Sequence, residues 1–299
     1  MVAGKKIPAN IAFEIVNYTV LFLFFAICTY PFYYVFIYSI SDPYRASYGL
    51  GITLWPIKPT LSNYNEIFKT TGMLRAALVS IARTVTGTII TVSCCSFFGY
   101  LVTKPLYFKK FIYRFVVATM YFSSGLIPYY LTIRSYGLFN SFLVYIVPGA
   151  LSAFYVILFK TFIEQIPPSM EESAAIEGAG PVSIFLKIIM PLSVPIVATI
   201  AVFSSVGQWN AWFDNYIYVN NKDLATLQLK LYELLQAAET IANQSNTTVT
   251  TDIITRTQTI TPMAVRMTLT MVVTLPIILV YPYMQRFFVK GLMMGAIKG

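Results

Sequence analysis

Two stretches hold most of the side chains able to do chemistry. The first is Gly207-Gln208-Trp209-Asn210-Ala211-Trp212-Phe213-Asp214-Asn215, where indoles, amides and a carboxylate crowd the end of an apolar run. Sugars offer hydroxyls to amides and carboxylates, and apolar ring faces to aromatic side chains. Trp209, Asn210, Trp212 and Asp214 are therefore candidates for a sugar path. A belt of interfacial Trp is the plainer account; it covers the indoles but not Asn210 in the same turn. Ser123 and Tyr129 join the candidates because Ser123-Ser124-Gly125 and Pro128-Tyr129-Tyr130 interrupt another apolar run. Gly and Pro there mark a helix that is bent or locally opened, either as a packing kink or to line a polar path.

The second stretch runs from Pro167 to Pro191 and reads as two short helices with a sharp bend. Ser169 followed three residues on by Glu172 predicts a capping box. Glu171 and Glu172 suit the positive end of the helix dipole. Gly178 ends the first helix, Pro181 opens the second and Pro191 stops it. A bent helix pair with exposed acids and small residues is shaped to dock into a groove on another protein, although an amphipathic loop lying on a membrane has the same pattern.

Other chemistry is missing from the residue inventory. The chain has no His, the commonest general base and metal ligand. Cys28, Cys94 and Cys95 fall in apolar runs without metal spacing and read as packing residues. No phosphate-binding loop, HExxH or CxxC is present, and the carboxylates are too scattered for a glycosidase pair. The reading is of a non-enzyme with no catalytic residue and no metal site.

The elements that position these residues are membrane helices. Mean hydropathy is +0.67, with 57% apolar and only 11% charged residues, which places the chain among polytopic membrane proteins. Taking about 20 apolar residues per span, six runs qualify: 15–40, 78–103, 110–133, 139–163, 191–213 and 266–288. The first is too long for a signal peptide and no cleavage site follows it.

Lys104, Lys109, Lys110 and Arg114 follow the second span, and Arg286, Lys290 and Lys298 follow the last. Positive loops mark the cytoplasmic side, so both termini and 164–191 lie inside, and 41–77 and 214–262 outside. In the first outer segment Asn63 to Phe68 reads as a short helix; in the second, 224–240 reads as an amphipathic helix and Asn243 to Thr261 as a loop. The second span begins near Arg83, where a charge marks either a functional site or a side chain that snorkels toward the outer interface or pairs within the bundle. The net charge of +9 comes without a nucleic-acid pattern and matches loops near anionic lipid.

Glu172-Ser173-Ala174, Gly178 and Ile188-Ile189-Met190-Pro191 resemble the cytoplasmic EAA motif of permease subunits of ATP-driven importers, with Ser173 for Ala and Met190 for Leu as departures. The tail, Gln285 to Gly299, resembles the carboxyl-terminal signature of sugar-importer permeases of the maltose-transporter type. The resemblance implies an all-α polytopic protein of six transmembrane helices, a single permease domain over 1–299 with the type I ABC importer fold. Within that group the chain looks most like permeases for oligosaccharides or for uronate-containing sugars. Glu171, Glu172, Ala174, Gly178, Ala179, Pro191 and Lys290 would then contact the ATPase.

The implied partners are a second permease subunit, two ABC ATPase subunits that hold ATP and Mg, and an extracellular solute-binding protein in a bacterial plasma membrane. This chain would bind no cofactor itself. The competing reading is a self-sufficient carrier or channel. Such carriers place ionisable residues at the bilayer middle, and the span centres here are almost free of them.

Overall fold

The computed structural model describes residues 8–47, 54–69, 72–105, 107–244 and 261–296. Among these residues the chain is helical, with no strand. In order come α1 (Pro8–Ser39), α2 (Pro43–Ser47), α3 (Ser62–Lys69), α4 (Met73–Thr103), α5 (Lys109–Thr119), α6 (Leu126–Ser135) and a 3₁₀ turn, Phe142–Tyr145. Then follow α7 (Ala153–Ile163), α8 (Ser169–Ile176), α9 (Pro181–Ile184), a π turn (Phe185–Ile189), α10 (Met190–Leu192) and α11 (Val194–Asn210). The last are α12 (Phe213–Tyr218), a 3₁₀ turn (Lys222–Leu224), α13 (Leu227–Gln244) and α14 (Pro262–Ala296).

Among the described residues, three helical stretches are long and apolar enough to cross a membrane: Phe13–Ser39, Met73–Thr103 and Met263–Pro282. A fourth apolar run is a bent pair, in which Pro181–Leu192 meets Val194–Asn210 at 82°. The two remaining runs are each broken. Where hydropathy predicts one helix over 110–133, α5 and α6 are separated at Gly125, whose φ of 77° is open to glycine and costly for other residues. Pro128 then sits in the first turn of α6, where its missing N–H costs nothing. Over 139–163, Pro148 and Gly149 separate the Phe142–Tyr145 turn from α7. A hydropathy window averages over such breakers.

The contacts divide the chain into two units. One comprises Met1–Thr70 and Leu234–Thr274. In it only 6% of the most apolar window of α1 is buried, as befits a helix apolar all round in lipid. The chain leaving α1 folds back on it: Asn63 Nδ2 donates to the carbonyls of Ser39 (3.0 Å) and Ser41 (2.8 Å), and Thr60 N donates to Ile40 O (2.7 Å).

The other unit comprises Thr71–Glu233 and Leu275–Gly299 and holds both sequence stretches. Its centre is α4, 31 residues and about 46 Å long at 1.5 Å per residue. Helices α7 and α11 pack on α4. Gly99 lets α7 come close: a Cβ there would lie 3.0 Å from Phe159 Cδ1 and 3.1 Å from Val156 O. Such small residues drive helix packing in lipid, where the hydrophobic effect does not.

Candidate functional site

The Pro167–Pro191 stretch forms the expected elbow, with differences at its ends. Helix α8 is capped by the backbone of Pro168, whose carbonyl accepts from Glu171 N (3.0 Å) and Glu172 N (3.1 Å); no side chain caps it, so Ser169 is already helical and the capping box does not form. Gly178 has φ 84° and closes a Schellman turn, with Ala179 N donating to Ala174 O and Gly178 N to Ala175 O, both at 3.0 Å. Pro181 opens α9 as expected.

Pro191 does not stop the second arm. A proline lacks the N–H for its turn and clashes with the carbonyl four residues back. The helix absorbs this by widening: Met190 N bonds Phe185 O in a π turn, and helical backbone continues to Leu192. The break falls at Ser193, and α11 leaves from there.

The elbow has two faces. Inward, Ala174, Ile184, Phe185 and Ile189 share one core with Tyr100 of α4, Phe159 of α7 and Ile200 of α11. Tyr100 Oη donates to Pro181 O (3.3 Å), and the rings of Tyr100 and Phe185 lie 5.2 Å apart. Fully burying an Ile or Phe side chain away from water contributes about 1.5–3 kcal/mol. Outward, Glu172, Pro191 and Gly178 are exposed, as is Ile176 at 87%. Glu171 is tied to Lys104 at the end of α4, and Lys104 lies 4.2 Å from the Tyr100 ring centroid. Ala174 therefore faces the chain's own core and Ala179 packs half-buried against it, while Glu172 and Gly178 face outward. Lys290 falls in the α14 backbone, and its side chain lies outside the described residues.

The sugar-path candidates scatter. A cavity of about 320 Å³ is lined by residues of α4, α6, α7, α11, α12 and the Phe142–Tyr145 turn. Tyr129 and Asp214 line it; Ser123, Trp209, Asn210 and Trp212 do not. Trp209 is buried and lines a separate apolar cleft with Val85, Val202 and Pro276. Trp212 stacks on Tyr232, with ring centroids 4.1 Å apart. Asn210 Oδ1 accepts from Gln228 Nε2 at 3.1 Å. Ser123 is exposed in the α5–α6 break. Asn210 and the two indoles thus each have a partner within the chain, and Asn210 remains exposed.

What the sequence did not bring together is the polar core of this cavity, although it named Asp214 and Arg83 separately. Arg83, only 3% exposed, forks onto Asp214, with Nη1 to Oδ1 at 3.0 Å and Nη2 on Oδ2. Its Nε donates to Gln208 Oε1 (2.9 Å), and its guanidinium carbon lies 4.5 Å from the Tyr145 ring centroid. Gln208 Nε2 in turn donates to Tyr145 O (3.2 Å). Gly87 makes room for Gln208, since a Cβ there would fall 2.8 Å from its carboxamide. Thr91, Ser204, Tyr155 and Tyr218 complete a wall of hydroxyls. The pairing of Arg83 within the bundle matches the sequence reading. Its place on the cavity wall had one available signal, a charge inside a span.

A buried cation fully paired within the chain, facing hydroxyls and aromatic rings, suits a polar uncharged or acidic solute passing through. Among the described residues no group of His, Cys, Asp and Glu could hold a metal ion.

No family model matches the sequence. The polygalacturonan/rhamnogalacturonan transport system permease protein YtcP of Bacillus subtilis (strain 168) is 33% identical over 294 residues, which cover 97% of this chain and 99% of that protein. The chain belongs to the permease subunits of carbohydrate ABC importers. Protein LplC of the same organism is 32% identical over 92% of this permease and 90% of its own length. A chain in the crystal structure of a bacterial ABC transporter involved in the import of the acidic polysaccharide alginate matches with a TM-score of 0.82 at 25% identity, covering 96% of the permease and 100% of that chain. The permease is thus an all-α, multi-pass membrane protein with the ABC importer permease fold, and its role is non-enzymatic.

Proposed function

We propose that this permease is one of two transmembrane subunits of an ATP-driven, binding-protein-dependent importer of oligosaccharides, working by alternating access. A solute-binding protein delivers the sugar outside, and two ABC ATPase subunits, which hold the ATP and Mg, work inside. The second permease subunit is a different chain, both termini are cytoplasmic, and 41–77 and 214–262 face outward. The name of the B. subtilis relative supports an oligosaccharide-sized substrate.

One observation carries the reading. The elbow is exposed on one face, at Glu172, Ile176 and Gly178, and built into the core of α4, α7 and α11 on the other. A push on the exposed face then moves these helices as a body, the rigid-body rocking that alternating access requires. Converting 1:99 into 99:1 between inward- and outward-facing states takes about 5.5 kcal/mol of differential binding, within reach of nucleotide-driven closure.

Mass spectrometry of the gently solubilised complex tests the assembly: an ATPase and a second six-span subunit should co-purify. Reconstitution of this chain alone tests the competitor. ATP-independent uptake or conductance by the isolated chain would support a self-sufficient carrier or channel and end this proposal.

A further inference from the structure

We propose that Arg83 and Gln208 form a carboxylate subsite for acidic sugars, which Asp214 occupies until a uronate of the substrate takes its place. The proposal rests on the cavity being the sugar path.

The argument is an asymmetry within one ion pair. Arg83 is 3% exposed while Asp214 is 26% exposed. A buried guanidinium left without a carboxylate is strongly penalised, whereas a carboxylate at the rim is rehydrated at little cost. Arg83 must stay paired, but its partner can change. Asp214 has a partner besides Arg83, since its Oδ1 also accepts from Asn215 N at 2.8 Å.

The fork is held in place without Asp214. Gln208 takes its Nε at 2.9 Å, the Ala211 carbonyl takes Nη1 at 3.2 Å, and the Tyr145 ring backs its carbon at 4.5 Å. A guanidinium so fixed is ready for bidentate recognition of any carboxylate. Asp214 itself is the second residue of α12, which the extended Ala211 separates from α11. Both residues line the same cavity, in which Arg83 is the one cation and Asp214 the one anion among the described residues.

A neutral sugar cannot replace Asp214, because hydroxyls do not compensate the buried charge. A uronate can, exchanging one carboxylate for another while its hydroxyls meet Thr91, Ser204 and the tyrosines. The pair therefore acts as a filter for acidic units.

The test uses the full complex in nanodiscs without binding protein, and reads ligand binding from the shift of its thermal unfolding midpoint. The probes are an oligogalacturonate and its fully methyl-esterified, uncharged counterpart. The wild type should prefer the acid by at least tenfold. Asp214→Asn, which removes the competing carboxylate, should lower the midpoint, bind the acid severalfold more tightly and be restabilised by the acid but not the ester. Arg83→Gln should abolish the preference; if that variant does not assemble, Asp214→Asn decides alone. Equal binding of acid and ester by the wild type, or an Asp214→Asn complex no tighter for the acid, would overturn the proposal and leave the pair a structural tie, with the sugar path intact. Binding of neither probe to any variant would remove the sugar path as well.

Discussion

The elbow and the cavity are both built on α4, yet they are built in opposite ways. Arg83 and Tyr100 are 17 positions apart on that helix, about 26 Å at 1.5 Å per residue. At the Tyr100 end, contiguous residues from Ser169 to Leu192 make the elbow, with Glu172 and Ile176 turned outward and Ala174, Ile184, Phe185 and Ile189 turned in. At the Arg83 end, residues from six separate elements make the cavity, and its charges are turned inward and compensated within the chain. A surface meant for a partner can leave its charges to water. A cavity in a membrane helix bundle has to balance its charges itself.

That contrast predicts a ranking of mutational effects. The largest belongs to the cavity. Asp214→Ala leaves Arg83 buried and unpaired and should cost about 3–5 kcal/mol in thermal unfolding of the complex. Combining Arg83→Leu with Asp214→Leu should recover most of that loss; a double variant as unstable as Asp214→Ala would mean that the pair is not an isolated unit.

Next comes the inward face of the elbow. Ala174→Leu inserts a larger side chain into the core with Tyr100 and Phe185, and overpacking should destabilise by about 1–3 kcal/mol. A neutral effect on stability would move Ala174 to the docking face. Gly178→Ala forces a Cβ into a left-handed conformation where space is otherwise open, at about 1–2 kcal/mol, read by the same melt. The smallest effect is expected at Ser169. Since Pro168 provides the cap, Ser169→Ala should change stability far less than the ~1 kcal/mol of a lost N-cap. A full-sized loss would restore the capping box.

The same contrast explains what the sequence revealed. The elbow was readable because local rules govern it: Gly178 can hold φ 84° and Pro181 can open a helix whatever surrounds them. It misled where two local rules compete. Ser169 lost the cap to the backbone of Pro168, and Pro191 was absorbed by a π turn instead of ending its helix. The long spans α1, α4 and α14 followed from hydropathy and the break at Gly125 from its Gly and Pro, but the break at Pro148-Gly149 did not, because averaging hides single breakers.

The cavity was barely readable. Its lining residues stand as far apart as Arg83 and Tyr218, and nothing local joins them. The Trp-Asn cluster drew attention by composition; Trp212 stacks on Tyr232 and Asn210 bonds Gln228, while Gln208 of the same stretch holds Arg83. Chemistry-bearing types in one turn point to different faces of a helix, and only the packing says which face meets the cavity.

The central claim is that the elbow conveys the partner's nucleotide cycle to the helix bundle. Its most direct test is the ratio of sugar-stimulated to basal ATP hydrolysis in complexes of equal subunit composition carrying Gly178→Leu. A collapse of the ratio toward one, with the permease still inserted and assembled, is the expected result. An unchanged ratio would contradict the account.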